Sequence, residues 1–209
     1  MTDFTNHPQQ GVLVLFEGMD GVGKTTQVKR AEQVLNERGL SVMTSRTPGG
    51  TPIGEALREV MRQPLPRPGL SDLYMAAAAQ EALIRALDEL RRTYDVILLD
   101  RGPLSIAAYQ IYGSRVDNER GWYFVDEGMT KLKPDKVIVY ACNPEKALRR
   151  ARVASGREEY FEQMPQDYFN RVDEGYHVVA KRFKAAIIQA EKDIDSVHRE
   201  TMAIIDKVL

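Results

Sequence analysis

Short apolar runs alternate with longer stretches of helical periodicity along this chain. Residues 12–16, Val-Leu-Val-Leu-Phe, form a continuous apolar run, which is typical of a strand buried on both faces. Short stretches at residues 41–45, 96–99, 136–140 and, more weakly, 185–189 predict four further strands. Because strands and helices alternate, the pattern predicts an α/β fold in which a parallel sheet of about five strands has helices on both faces.

Glycine and proline mark several of the predicted helix ends. Gly39 is a typical residue just after a helix, and Pro52 suits the first position of the next one. Ser71-Asp72 can cap a long helix. The predicted helices cover residues 24–38, 52–63 and 71–93, two stretches between 103 and 132, and the stretches that start near 143, 168 and 195.

A glycine-rich turn joins the first predicted strand to the first predicted helix. Residues 18–25, Gly-Met-Asp-Gly-Val-Gly-Lys-Thr, match the pattern G-x-x-x-x-G-K-[ST] in full, with the strand and the helix in the required places. Glycines let the backbone turn its N–H groups inward, and the positive end of the helix points at the same spot. Lys24 can then reach the β- and γ-phosphates of a nucleoside triphosphate, and the Thr25 hydroxyl can bind Mg²⁺. The predicted ATP-binding residues are Gly18, Met19, Asp20, Gly21, Val22, Gly23, Lys24, Thr25 and Thr26.

An acidic residue follows the third predicted strand. Ligands of such sheets bind beyond the carboxyl ends of the strands, so we expect Asp100 and the phosphate loop, residues 18–25, to face one crevice. Asp100 is then the natural carboxylate for Mg²⁺, directly or through water. The phosphate loop alone is compatible with a kinase, a GTPase switch, a motor or a DNA-handling ATPase. The guanine-reading N-K-x-D of a switch does not follow the fourth predicted strand, where residues 141–146 read Ala-Cys-Asn-Pro-Glu-Lys.

Composition excludes several other classes. The chain has 209 residues with 29 Lys and Arg against 30 Asp and Glu, so no excess of positive charge favours nucleic acid or an anionic membrane as a partner. Its one cysteine, Cys142, cannot form an intrachain disulfide, which favours a reducing compartment. No apolar run approaches the ~18 residues that span a bilayer. We expect a cytoplasmic protein with a flexible leader, residues 1–10, and a single domain, residues 11–209.

Five stretches, in order and along nearly the whole chain, resemble the thymidylate kinase family. The first is the strand and phosphate loop, and the second, Arg-Thr-Pro-Gly-Gly-Thr-Pro, is similar to that family's R-E-P-G-G-T-P signature. The third combines an Asp-Arg pair with a later Ala-Tyr-Gln, the fourth resembles the entry to the family's mobile lid, and the fifth the helix after it. These stretches are residues 16–27, 46–52, 100–110, 147–152 and 168–172.

The resemblance implies a nucleoside monophosphate kinase that uses ATP and Mg²⁺ to convert dTMP to dTDP. By the same resemblance, Arg46 and Arg101 hold the 5′-phosphate of the acceptor, and Asp20 bonds the sugar 3′-hydroxyl. Tyr109 packs against C2′ and Gln110 reaches the edge of the base. The family's substrate-binding positions further map onto Pro48, Tyr74, Ala78 and Ser105. The predicted catalytic residues are Asp20, Lys24, Arg101, Arg152 and Arg157.

The lid is expected at about residues 150–164. Gly21 follows the acid of the phosphate loop, as in the class of the family whose catalytic arginine comes from the lid. Arg152 is the first candidate for that arginine and Arg157 the second, with Ser155-Gly156 between them as a hinge. The alternative is that these arginines belong to a solvated helix face. The resemblance also implies a homodimer formed through helices.

Three departures from the family pattern concern the acceptor. Thr47 replaces a glutamate, and residues 102–103, Gly-Pro, replace a tyrosine. Counting back from Gln80 puts Tyr74 at the aromatic that stacks on thymine, but Ala78 at the arginine that bonds the base carbonyl. The base therefore stays open between thymine and the alternatives, which are dUMP, a modified pyrimidine deoxynucleotide or another base. A P-loop NTPase that is not a kinase, or an interaction protein, is the more remote alternative.

Overall fold

A computed structural model describes residues 10–155 and 160–209 of the chain. Within these ranges the predicted architecture is confirmed, because five parallel strands form one sheet in the order β2-β3-β1-β4-β5. The strands are β1 (Val12–Gly18), β2 (Val42–Arg46), β3 (Val96–Asp100), β4 (Lys136–Ala141) and β5 (Ala186–Gln189). The predicted leader, apart from Gln10, and residues 156–159 of the predicted lid lie outside the described residues.

The helices follow the predicted stretches. They are α1 (Lys24–Glu37), α2 (Pro52–Arg62), α3 (Gly69–Thr93), α4 (Pro103–Ile106), α5 (Asn118–Leu132), α6 (Pro144–Ser155), α7 (Gln166–Arg182) and α8 (Ile194–Ile205). Two details differ from the prediction. Helix α3 begins two residues before Ser71, and the Asp72 carboxylate does not cap it but pairs with Arg67. Helix α4 continues directly into a π-helical stretch, Ala107–Gly113, that the sequence pattern did not predict.

Strand β1 lies at the centre of the sheet and brings the ends of three strands together. Phe16 pairs with Asp100 of β3, and Gly18 pairs with Tyr140 of β4. Residues 13–16 of β1 and 96–99 of β3 are almost fully buried, as expected for strands covered on both faces. The loops after β1 and β3 therefore leave the sheet side by side at its carboxyl edge.

The helices that cover the sheet have one buried face and one exposed face. In the part of the chain that the structure describes, none of them is long and apolar enough to cross a membrane.

Candidate active site at the carboxyl ends of the central strands

The loop after β1 forms a backbone cradle at the start of α1. Gly18 and Gly23 adopt positive φ angles of 138° and 95°, which residues with a side chain rarely adopt. Among the described residues no side chain caps the first turn of α1, so its N–H groups and its positive end are available to an anion. The Nζ of Lys24 donates a hydrogen bond of 2.7 Å to the carbonyl oxygen of Met19. The loop therefore combines a helix end with a fixed ammonium group, which suits a polyphosphate.

Gly21 brings α6 directly against this loop. Its φ is 78°, and a β-carbon built on it would lie 1.9 Å from the carbonyl oxygen of Ala147 and 2.8 Å from the backbone nitrogen of Ala151. Both residues belong to α6, and Arg152 follows in the last turn of that helix. Only a residue without a side chain permits this approach. The glycine therefore allows the helix with the first predicted lid arginine to pack on the phosphate loop.

Thr25 and Asp100 meet at the edge of the cradle. The Thr25 Oγ1 donates to Oδ2 of Asp100 across 2.6 Å. The other carboxylate oxygen, Oδ1, is buried and has no hydrogen-bond partner among the described residues. A buried acceptor without a partner, next to a hydroxyl, fits the oxygen ligands that Mg²⁺ takes beside phosphate groups. The described residues hold no cluster of three or more His, Cys, Asp or Glu that could bind a metal ion.

Asp20, Arg101 and Tyr109 form a charged network beside the cradle. The Arg101 Nη2 donates to Oδ1 of Asp20 at 2.6 Å, and the Tyr109 hydroxyl donates to Oδ2 at 2.7 Å. The same guanidinium lies 5.0 Å from the centre of the Tyr109 ring. Because Asp20 belongs to the phosphate loop, the network ties that loop to the residues after β3.

The turn after β3 points Arg101 into the site. Arg101 has a φ of 71°, a left-handed conformation that is strained for a residue with a side chain. Glu17 stabilises the turn, since its buried carboxylate accepts hydrogen bonds from the backbone N–H of Gly102 and from the Ser105 hydroxyl. A β-carbon on Gly102 would lie 2.7 Å from Leu15 Cδ1. A larger residue at position 102, where the sequence departs from the family, would therefore require the Leu15 side chain to move.

Burial and charge shift three pKa values in this network. Burial lowers the pKa of Lys24 to about 8, and the charge of Arg101 contributes in the same direction. Burial also raises the pKa of Glu17 to about 7, although the Ser105 hydrogen bond and the charge of Arg101 oppose the rise. Desolvation alone would raise the pKa of Asp20, but the positive charges of Arg101 and Lys24 outweigh it and hold that pKa well below its usual value. Asp20 is therefore ionised at neutral pH, next to two cations.

A pocket opens beside this network, and Asp20 is part of its wall. Besides Asp20, the wall includes five more of the predicted substrate-binding residues, which are Pro48, Arg101, Ser105, Tyr109 and Gln110. It also includes residues that the sequence analysis missed, namely Arg58, Met61, Arg62, Ala76, Gln80 and Phe161. Burial lowers the pKa of Arg58, and the neighbouring charges of Arg46, Arg62 and Arg101 lower it further. Such a concentration of guanidinium groups indicates an anion site at this end of the pocket.

Comparison with known proteins decides the family. The model of the family described as thymidylate kinase matches residues 16–201. This chain belongs to the thymidylate kinase family. A thymidylate kinase from Caldicellulosiruptor saccharolyticus is 34% identical over 96% of this chain and 98% of its own length. One from Legionella pneumophila (strain Paris) is 30% identical over 95% of this chain and 96% of its own.

A crystal structure agrees with the fold. The thymidylate kinase from Ehrlichia chaffeensis superposes with a TM-score of 0.73 at 24% sequence identity, covering 94% of this chain and 99% of that one. Membership of the thymidylate kinase family makes this chain a nucleoside monophosphate kinase, that is, a phosphotransferase.

The face of α3 that reaches the pocket differs from the prediction. Tyr74 is 49% exposed and contacts the ring of Phe124 on α5, and Ala78, one turn later, is also exposed. The pocket wall instead contains Ala76 and Gln80, which have the same four-residue spacing. Successive helix residues are about 100° apart, so a two-residue difference turns a side chain from the pocket to the opposite face. In this structure the pocket face of α3 therefore carries Ala76 and Gln80 rather than the predicted Tyr74 and Ala78.

Arg46 stands at the rim rather than in the wall of the pocket. Its Nη2 donates to both carboxylate oxygens of Glu55 at 2.9 Å, and both side chains are about half exposed. Thr47, which replaces the glutamate of the signature, is buried beside it and is part of the pocket wall. An anion bound near Arg58 would compete with Glu55 for the Arg46 guanidinium.

The predicted lid arginines lie on or beyond the last turn of α6. Arg152 is exposed and lines a surface groove together with Arg149 and with Gln166 of α7. Arg150 points elsewhere, since its Nη1 donates to the carbonyl oxygen of Ala190 after β5. Arg157 lies outside the described residues.

Proposed function

We propose that this protein transfers the γ-phosphoryl group of ATP to the 5′-phosphate of dTMP, forming ADP and dTDP. The observation that carries the proposal is that Asp20 belongs both to the phosphate loop and to the wall of the arginine-lined pocket. A donor bound at the loop and an acceptor bound in the pocket would therefore meet at one point. Phosphoryl transfer needs positioning and neutralisation of charge more than covalent help, and this arrangement supplies both.

The donor side would use the loop and its two flanking groups. The cradle of residues 18–26 would hold the phosphates of ATP, with the Lys24 ammonium shared between them. Thr25 and Asp100 would hold Mg²⁺, which would neutralise charge on the phosphate oxygens when bound. Binding of the anionic nucleotide would raise the lowered pKa of Lys24, so that the group is fully charged in the complex.

The acceptor side would use the guanidinium groups of the pocket and the adjacent network of Asp20, Arg101 and Tyr109. Arg101, Arg58 and the rim residue Arg46 would share the 5′-phosphate of the acceptor. Asp20 would accept a hydrogen bond from the sugar 3′-hydroxyl, and Tyr109 would pack against C2′. Gln110, buried in the same wall, would lie at the edge of the base. Residues 150–164 would act as a lid that brings Arg152 or Arg157 to the transferring group.

We also propose a homodimer, with the contact on the outer face of α3 and α5. Tyr74 and Tyr123 are 49% and 61% exposed and both contact the ring of Phe124. Contiguous exposed aromatic groups are typical of interfaces. Sedimentation velocity should show a dimer, and Tyr123→Asp should give a monomer that keeps its circular dichroism spectrum. A monomeric wild type would contradict the assignment. A cytoplasmic location remains a prediction from the sequence.

Release of ADP in the presence of Mg²⁺ and ATP tests the reaction. The acceptors to compare are dTMP, dUMP, dCMP, dAMP, dGMP, UMP and CMP, each with a control that lacks the acceptor. A clear preference for dTMP is expected. Preference for another nucleotide would keep the kinase and change its substrate, and release that does not depend on any acceptor would contradict a nucleoside monophosphate kinase.

A further inference from the structure

Gln80 is a buried amide with an unused acceptor in the wall of the pocket. Its side chain is 4% exposed, and it is one of the two α3 residues that line the pocket. The Nε2 donates to the carbonyl oxygen of Phe124 on α5 at 3.0 Å. The Oε1 has no hydrogen-bond partner within residues 10–155 and 160–209. A buried carboxamide oxygen without a donor is unfavourable unless a ligand supplies one.

The surroundings of Gln80 fix which of its atoms can face a ligand. The carbonyl of Phe124 can only accept, so the amide must present its NH₂ group to α5. Gly128 of α5 makes room for that group, because a β-carbon there would lie 2.3 Å from Nε2. The oxygen of Gln80 is therefore held as an acceptor and cannot exchange places with the nitrogen.

Phe161 supplies the aromatic group that α3 lacks. Ala76, one turn before Gln80, offers only a methyl group to the pocket, and Phe161 is part of the same wall. The Phe161 ring packs edge-on against Tyr109, with 5.4 Å between the centroids. A flat apolar group of this kind suits a nucleobase.

The residue before Phe161 is tied to the connection between α2 and α3. The backbone N–H of Tyr160 donates to the carbonyl of Arg62, and its hydroxyl donates to the carbonyl of Arg67. The Arg67 guanidinium lies 3.7 Å from the centre of the Tyr160 ring. The aromatic wall of the pocket is therefore fixed from outside the pocket.

We propose that the acceptor base binds between Ala76 and Phe161 and donates its ring N–H to Oε1 of Gln80. The proposal rests on the proposed function, since it assigns the base subsite of the same pocket. An amide oxygen recognises a donor, whereas the arginine expected at this face would recognise a carbonyl. Thymine and uracil carry an N3–H, and cytosine carries an unprotonated N3. Gln80 thus selects a pyrimidine with an imide N–H.

Methylation of N3 provides the test. We compare kcat/KM for dTMP and for its N3-methyl derivative in the wild type, in Gln80→Met and in Gln110→Met. The wild type should prefer dTMP by about 10–100-fold, the usual range for one buried hydrogen bond. In Gln80→Met the ratio of the two kcat/KM values should fall to about one. In Gln110→Met both kcat/KM values should be lower, but their ratio should be that of the wild type. The ratio is unaffected by a general loss of stability, because both acceptors meet the same folded enzyme.

The outcomes separate this inference from the function on which it rests. If dTMP is turned over and Gln80→Met keeps the wild-type ratio of kcat/KM for dTMP to that for its N3-methyl derivative, the proposed role of Gln80 is wrong. A ratio that is lost in Gln110→Met alone would overturn it as well, in favour of Gln110. Absence of dTMP turnover in the wild type would instead contradict the proposed function.

Discussion

The two halves of the site are built from different materials. The half assigned to the phosphates is positioned mainly by local backbone geometry, namely the glycine turns of residues 18–25, the first turn of α1 and the tight turn at Arg101. The half assigned to the base is made of side chains from two distant stretches, with Ala76 and Gln80 on α3 and Phe161 near the end of the predicted lid. One contiguous sequence motif determines the conformation of the phosphate loop. A pocket formed by side chains depends instead on helix register and on packing between distant segments.

This difference predicts two kinds of variant. Changes in the phosphate half should lower the rate with every acceptor by the same factor, because all nucleotides present the same phosphates. Changes in the base half should alter the ratio between acceptors and leave phosphate handling in place. The following substitutions test that separation.

Lys24→Ala should have the largest effect. Removal of the ammonium from the cradle leaves charge on the phosphates without its partner, and kcat should fall by about 10²–10³-fold with each acceptor. Lys29→Ala is the matched control, because Lys29 is on the same helix but is exposed. Steady-state assays with two acceptors and a thermal melt measure both effects. Near-normal turnover of a folded Lys24→Ala would refute the assignment of the loop.

Glu17→Gln should change how stability depends on pH. Burial raises the pKa of Glu17 to about 7 from 4.5, so between these values the folded state binds a proton that the unfolded state has released. The contribution of Glu17 is thus complete below pH 4.5 and is lost as pH rises through 7, by up to about 3 kcal/mol. Urea unfolding of both proteins at pH 4.5, 6 and 7.5 measures it. The free energy of unfolding of the variant should depend less on pH than that of the wild type. The same pH dependence in both proteins would contradict the raised pKa of Glu17.

Arg101→Lys should lower kcat/KM by about 10–100-fold, equally for dTMP and dUMP. A lysine cannot reproduce the hydrogen bonds that the guanidinium makes to Asp20, Ser105 and Tyr176 at once. A change in the ratio of kcat/KM for dTMP to kcat/KM for dUMP would show that the two halves of the site do not act independently.

Gly21→Ala should have the smallest effect, on stability. The new methyl group would enter the backbone of α6 at Ala147, in addition to the cost of a positive φ. Gly39→Ala is the control, because Gly39 has a similar φ of 84° and nothing within 4 Å of its built β-carbon. The free energy of unfolding should fall by about 1–2 kcal/mol more in Gly21→Ala than in Gly39→Ala. Equal losses would mean that α6 does not pack on the loop as described.

The same contrast explains how much could be predicted from the sequence. The order of strands and helices followed from hydrophobic periodicity, and the cradle of Gly18 to Thr25 followed from its own motif. Tyr74 and Ala78 could not be placed from spacing alone, because an error of two residues reverses the face of a helix. Phe161 and Arg58 enter the pocket through contacts between distant segments, and no local pattern marks them. The close contact of Gly102 with Leu15 likewise joins residues more than eighty positions apart.

The most direct test of the account follows the γ-phosphoryl group itself. The enzyme is incubated with γ-labelled ATP, Mg²⁺ and dTMP, and the labelled products are separated. We expect the label in dTDP, in an amount equal to the ADP formed. Label released as inorganic phosphate, at a rate that dTMP does not change, would contradict the central claim that the phosphate loop and the pocket form one phosphotransfer site.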